Sequence, residues 1–218
     1  MNSFSRVALI PVTFVLLAGS ASGKTRLIAP PQTLSIRLYD DAQAPAQMLH
    51  AASDQASYLL RAARIRTSWQ RPLREPPEDQ GTDMTAAAFQ QPDARGYLVV
   101  RLMTRTPATI LPGALGYALP LARKGAHVLI FYDRVETLAH NVNESIYIVL
   151  GHAIAHEIGH VLLGSNEHAS GGLMQGRWTP ATWHLASLGL LSFTPREAER
   201  MDAGLHRFQP YANPASEP

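Results

Sequence analysis

The sequence contains no cysteine. That excludes disulfide bridges, thiolate metal ligands and a cysteine nucleophile. It also excludes a latency device in which a cysteine sulfur covers a metal. The fold must be held by its core, aided by any bound metal. Charge is sparse too: 17% of residues are charged and the formal net charge is only +2. So small a balance argues against nucleic acid or an anionic membrane as the main partner. Arg61, Arg64, Arg66, Arg71 and Arg74 are scattered and read as a solvated face. Beyond the N-terminal stretch, no segment reads as long and apolar enough to cross a bilayer. No internal repeat is visible.

What is present suits a single ordinary domain. Apolar residues make up 46% of the 218, enough for a real core. Residues 1–23 read as an export signal. Arg6 supplies the positive start, Val7 to Ala18 the apolar stretch, and small residues then offer cleavage after Ala21 or Gly23. An uncleaved N-terminal anchor is the alternative. The expected domain covers residues 24–208, and residues 209–218, with three prolines from Pro210 to Pro218, read as a flexible tail.

Alternation at residues 34–39 predicts a strand. Residues 45–64 are alanine-rich with apolar positions near helical spacing, and Pro45 suits a helix start. A short strand at 65–70 and a surface loop at 71–95 follow. The continuous apolar run at 97–103 predicts a strand buried on both faces. Residues 114–120, bounded by glycine and proline, suit an edge strand. Residues 127–132 read as a further strand ending at Asp133, and a helix runs from about Asn143 to Leu163, stopped by Gly164. Thr179-Pro180 opens a helix over 179–190, and Thr194-Pro195 opens a last one ending near Leu205. This order predicts an α+β domain with a mixed sheet and two long helices.

The chemistry concentrates in His156-Glu157-Ile158-Gly159-His160. Two histidines four apart on a helix share one face, so both can reach one metal. Glu157, beside the first, is placed to take a proton from metal-bound water and pass it to a leaving amine. Gly159 keeps the space between the histidines small. The bland alternative is a helix that happens to carry surface histidines. Zinc needs a third protein ligand. Gly164 can end the helix in a left-handed conformation and let His168 swing back under the metal. Glu167, or a later carboxylate at Glu197 or Glu199, is the other choice.

These residues, with Gly164, His168 and Met174, resemble the metzincin clan of zinc peptidases, matrixin-like members most. The clan pattern is HExxHxxGxxH followed by a methionine turn. The resemblance follows residues 34–178 in order but is specific only over 152–174. It implies a zincin-like fold: a mostly parallel mixed sheet, a long N-terminal helix, the HExxH helix and closing C-terminal helices. It implies Met174 as the turn methionine beneath one zinc ion. It also implies that Gly116, Tyr117, Ala118 and Leu119 pair with an extended substrate backbone. The spacing departs from the clan. Leu163 stands where its glycine falls, with Gly164 one later, and Asn166 stands where its third histidine falls, with His168 two later. No tyrosine closely follows Met174.

The function expected is a secreted or periplasmic zinc endopeptidase, monomeric, acting on peptide or protein substrates. Neither nucleic acid nor stable membrane association after signal removal is expected. A non-catalytic zinc-binding protein of the same fold, or a zinc amidase acting on cell-wall peptides, would use the same site. Of the remaining polar residues, His152 shares a face with His156 and could touch the ligands' surroundings or line the cleft, but a full turn away it reads as a packed or solvent-facing histidine. Trp183 reads as core, Arg177 as surface, and Asp133 as a cap or cation ligand.

Overall fold

The computed structural model describes residues 33–71, 97–119 and 126–206. The export signal, most of the 71–95 loop, Pro120 and the 209–218 tail lie outside the described residues. The first strand, β1 (Thr33–Asp40), runs into α1 (Ala46–Ala62) and returns as β2 (Arg66–Gln70). Then come β3 (Leu98–Met103), β4 (Gly116–Leu119) and β5 (His127–Phe131). Four further helices complete the described chain: α2 (Tyr132–Val142), α3 (Ile146–Leu163), α4 (Pro180–Ser187) and α5 (Pro195–Leu205).

The strands form one five-stranded sheet in the order β2-β1-β3-β5-β4. The first three pairings are parallel, and only β4 against β5 is antiparallel. This is the expected α+β domain with a mostly parallel sheet, closed by C-terminal helices. Burial follows position. The central strand β3 is buried at five of its six residues and β5 at all five, so both are dominated by apolar residues, with Arg101 and His127 the exceptions. Edge strand β2 is exposed at alternate positions.

Helices α1 and α3 pack closely together. A Cβ at Gly151 would lie 2.6 Å from Gln55 Cβ and 2.9 Å from the Ala52 carbonyl oxygen, so a glycine is needed there. Every residue of α3 from Val149 to Leu162 is buried. Helix α3 is long and apolar enough to span a membrane by length and composition, contrary to the sequence expectation, yet most of it is interior to this fold. Its low polarity is that of a central core helix, surrounded by α1, α2, α5 and the β4–β5 edge.

The closing helices start as the sequence predicts. Thr179 and Thr194 each accept a hydrogen bond from the backbone N–H three residues on, with proline in the first turn. Helix α4 is shorter than expected. It ends at Ser187, before the left-handed Gly189 (φ 69°).

One element was not anticipated. The strand ends at Phe131, and Tyr132 to Val142 form helix α2, so Asp133 lies in a first helical turn. Asn143 is left-handed (φ 52°), caps α2 and delays α3 to Ile146. Val135 and Ala139, one turn apart, are buried on its inner face. Asp133 accepts hydrogen bonds from the Thr106 N–H and hydroxyl, at 3.1 and 2.7 Å, and from the Arg134 N–H. It ties the chain after β3 to α2. The N-cap of α2 is Phe131, without a side-chain cap, so Asp133 serves as a link between Thr106 and the first turn rather than as the cap.

Candidate metal centre

The centre is built on the last two turns of α3. His156 and His160 are buried on one side of the helix, their ring centroids 4.7 Å apart. Each Nδ1 lies 2.8 Å from a main-chain carbonyl oxygen: Leu173 for His156 and Ser165 for His160. A carbonyl can only accept, so in both rings Nδ1 carries the proton. Each Nε2 therefore keeps a lone pair, and the two Nε2 atoms face each other at 3.1 Å. Burial pushes the His156 pKa down to about 4, and lowers that of His160 as well, so both stay neutral. Two neutral imidazoles with opposed lone pairs have no hydrogen bond to share. A cation between them relieves the repulsion. Two nitrogens at about 2.1 Å from one tetrahedral zinc would stand about 3.4 Å apart, close to what is seen.

Both acceptor carbonyls come from the loop after α3. Gly164 is left-handed (φ 66°, ψ 29°), and the Ser165 N–H then bonds the His160 carbonyl. The turn carries the chain back so that His168 meets the pair. Ligand atoms of His156, His160 and His168 all lie within 4.8 Å of one another. Among the described residues this is the one group of three or more histidine or acidic side chains able to hold a metal ion. The His168 ring stacks on His156 with centroids 5.3 Å apart and lies 4.9 Å from His160.

The carboxylates weighed as third ligand are elsewhere. Glu197 Oε2 accepts from the Thr194 N–H at 2.7 Å, completing the α5 capping box. Glu167 and Glu199 are exposed and outside the cluster.

Met174 is buried beneath α3. A Cβ at Gly159 would fall 2.5 Å from Met174 Sδ and 2.9 Å from Phe193 Cε1. The floor under the two histidines thus presses on bare helix backbone. The Leu173 N–H bonds the Ser192 carbonyl at 2.9 Å, fixing this turn to the chain before α5.

Glu157 is 8% exposed, and burial pushes its carboxyl up to about 8. A nearby cation would favour the carboxylate and oppose that shift. The side chain packs on β4: a Cβ at Gly116 would lie 2.7 Å from Glu157 Cγ and 3.0 Å from its Cδ. Among the described residues β4 is an edge strand paired only with β5, and its Gly116 meets Glu157. Ala118 is buried, and Tyr117 is 42% exposed.

Three contributors were not singled out from the sequence. Ser165 and Leu173 act through carbonyls, which no side-chain pattern shows. Trp178 stands edge-on to His156 at 5.6 Å and also contacts His152 and Trp183. His152 is fully buried, its Nδ1 donating to the Ile148 carbonyl at 2.7 Å, so it is packed rather than solvent-facing. Trp183 is core, and Arg177 is exposed.

No protein-family model matches the chain, and no curated protein matches it. Among solved structures, the chain is similar to the crystal structure of metalloproteinase-II from Bacteroides fragilis. Identity is 13%, the TM-score is 0.47, and the match covers 82% of this chain. It spans about half of that protein, 54% of its length.

Proposed function

We propose that the chain is a zinc-dependent peptidase that hydrolyses peptide bonds. His156, His160 and His168 are the metal ligands, and Glu157 is general base and then general acid. The observation that supports it most is the pair of opposed Nε2 lone pairs, 3.1 Å apart, with both Nδ1 protons committed to carbonyls. Such an arrangement is unfavourable without a cation and is what a zinc site requires. Zinc held here would supply Lewis acidity and water of pKa about 7.

The chain's own residues do the rest. Glu157, next to one ligand and screened from bulk water, accepts the proton of the water that adds to the scissile carbonyl. It returns that proton to the amine nitrogen as the C–N bond breaks. A purely structural zinc site needs no carboxylate in that place, which favours an enzyme over a passive zinc protein. The open edge of β4 offers main-chain hydrogen bonds to an extended peptide, with Tyr117 at the rim. The signal-like residues 1–23 support action outside the cytoplasm.

The test is zinc stoichiometry together with cleavage of a denatured protein by the parent and by Glu157→Gln. We expect one zinc in both and cleavage by the parent alone. A variant that binds zinc and cleaves as well as the parent rules the mechanism out. An inert parent that binds zinc favours the non-catalytic reading.

A further inference from the structure

His156 and His160 are aimed by hydrogen bonds to carbonyls, but His168 is not. Its ring makes no hydrogen bond among the described residues, and it sits on the exposed loop. Metal-binding histidines need something to fix the ring. Here two packing contacts do it. One face of the ring stacks on His156, with an interplanar angle of 24°. The stem and Nδ1 edge of the ring lie against Gly176. A Cβ there would fall 2.9 Å from His168 Cγ, 3.1 Å from its Cβ and 3.2 Å from its Nδ1.

These are stem and inner-ring atoms, so they cannot yield without swinging the whole imidazole. The backbone nearby is tied down as well. The Ala169 N–H donates to the Met174 carbonyl at 2.9 Å, and Ala169 forms a β-bridge with Gln175. The Gln175 amide donates to the Thr182 hydroxyl at 2.9 Å, which anchors the loop to the start of α4. Gly176 is not left-handed, so its backbone does not demand glycine. Only the space does.

We propose that Gly176 is a positioning residue for the third ligand: its missing side chain is the seat that aims His168 at the His156–His160 pair. This rests on the three-histidine reading above.

The experiment measures zinc affinity of the full chain by chelator competition, the visible spectrum of the cobalt(II) form, and melting of the metal-free protein. The variants are Gly176→Ala, His168→Ala and, as control, Gly171→Ala. Gly171 lies in the same loop, but a Cβ there meets nothing within 4 Å. We expect Gly176→Ala to weaken zinc binding about tenfold or more, within the range seen when supporting partners of metal ligands are lost. Its cobalt absorption should change, its metal-free melting should match the parent, and Gly171→Ala should behave as the parent. If His168→Ala weakens binding and Gly176→Ala does not, the proposal is overturned. If Gly176→Ala lowers the metal-free melting temperature in step with affinity, the glycine serves loop stability and the positioning role is overturned. If His168→Ala itself leaves affinity unchanged, the three-histidine reading fails and takes the proposal with it.

Discussion

His156 and His160 point their unprotonated Nε2 atoms at each other across 3.1 Å, while carbonyls of the following loop hold both Nδ1 protons. The pair is pre-aimed, and a cation would relieve its repulsion. Metal should therefore stabilise the fold by mass action. At a free zinc concentration a thousand times Kd, the gain is about 4 kcal/mol. We expect a chelator to lower Tm by several degrees and added zinc to restore it. His160→Ala should lose that response. A parent whose Tm ignores both chelator and zinc would show that the cluster holds no metal.

Glu197 and Thr194 separate the ligand sets. The Glu197 carboxylate is committed to the Thr194 N–H, and the Thr194 hydroxyl accepts from the Glu197 N–H at 3.3 Å. Thr194→Ala should cost about 1 kcal/mol through loss of the cap. Glu197→Ala should also destabilise α5. Neither should change zinc affinity, measured by competition. Loss of zinc in Glu197→Ala, with His168→Ala unaffected, would instead make the carboxylate the third ligand.

Much of this was legible in the sequence because it depends on local rules. His156 and His160 follow from helical spacing, and the starts of α4 and α5 from Thr-Pro pairs. Gly164 shows the left-handed geometry that its place after an apolar helix suggested. Helix α2 was missed because its start carries no glycine or proline break. Tyr132 continues the apolar run of β5, and the stop at Asn143 is a left-handed non-glycine residue. The roles of Gly116 and Gly159 are contacts between distant segments, and that of Gly176 is a contact within its own folded loop. A glycine's use as empty space is visible only once its neighbours are placed. The carbonyl acceptors of Ser165 and Leu173 are hidden for a similar reason: any residue type supplies them.

Acid should loosen the metal-free fold, and His152 should account for part of the effect. Burial lowers its pKa, outweighing the Ile148 carbonyl and Glu144, which act the other way. The unfolded chain takes up a proton near pH 6.5 and the folded chain resists it. The linked stability is therefore complete above about pH 6.5 and is lost as pH falls through the lower folded value. His156 and His160 shift in the same direction. Glu157, raised to about 8, contributes the opposite slope, as stability falls while pH rises from about 4.5. Comparing the parent with His152→Leu cancels these shared contributions. Between pH 6.5 and 5, the urea-derived stability of the variant should fall less steeply, by up to about 1.4 kcal/mol per pH unit. Equal slopes would mean that folded His152 protonates as freely as in the unfolded chain.

Gly116 packs on Glu157, the proposed general base, and not on the three histidines. A methyl group there would fall 2.7 Å from Glu157 Cγ and 2.8 Å from the Leu129 carbonyl oxygen. The second contact is backbone of the paired strand and cannot yield cheaply, so the Glu157 side chain must move. Misplacing a catalytic group by about 1 Å can cost roughly 100-fold in rate. Gly116→Ala should therefore keep its zinc and lose about 10- to 100-fold in kcat. The part of the stability loss that comes from the Glu157 contact should disappear in a Glu157→Ala background, where Cγ and Cδ are gone. The Leu129 contribution is common to both backgrounds and cancels. If Gly116→Ala costs the same stability with and without the Glu157 side chain, and leaves kcat intact, the packing of the edge strand on the base has no functional role.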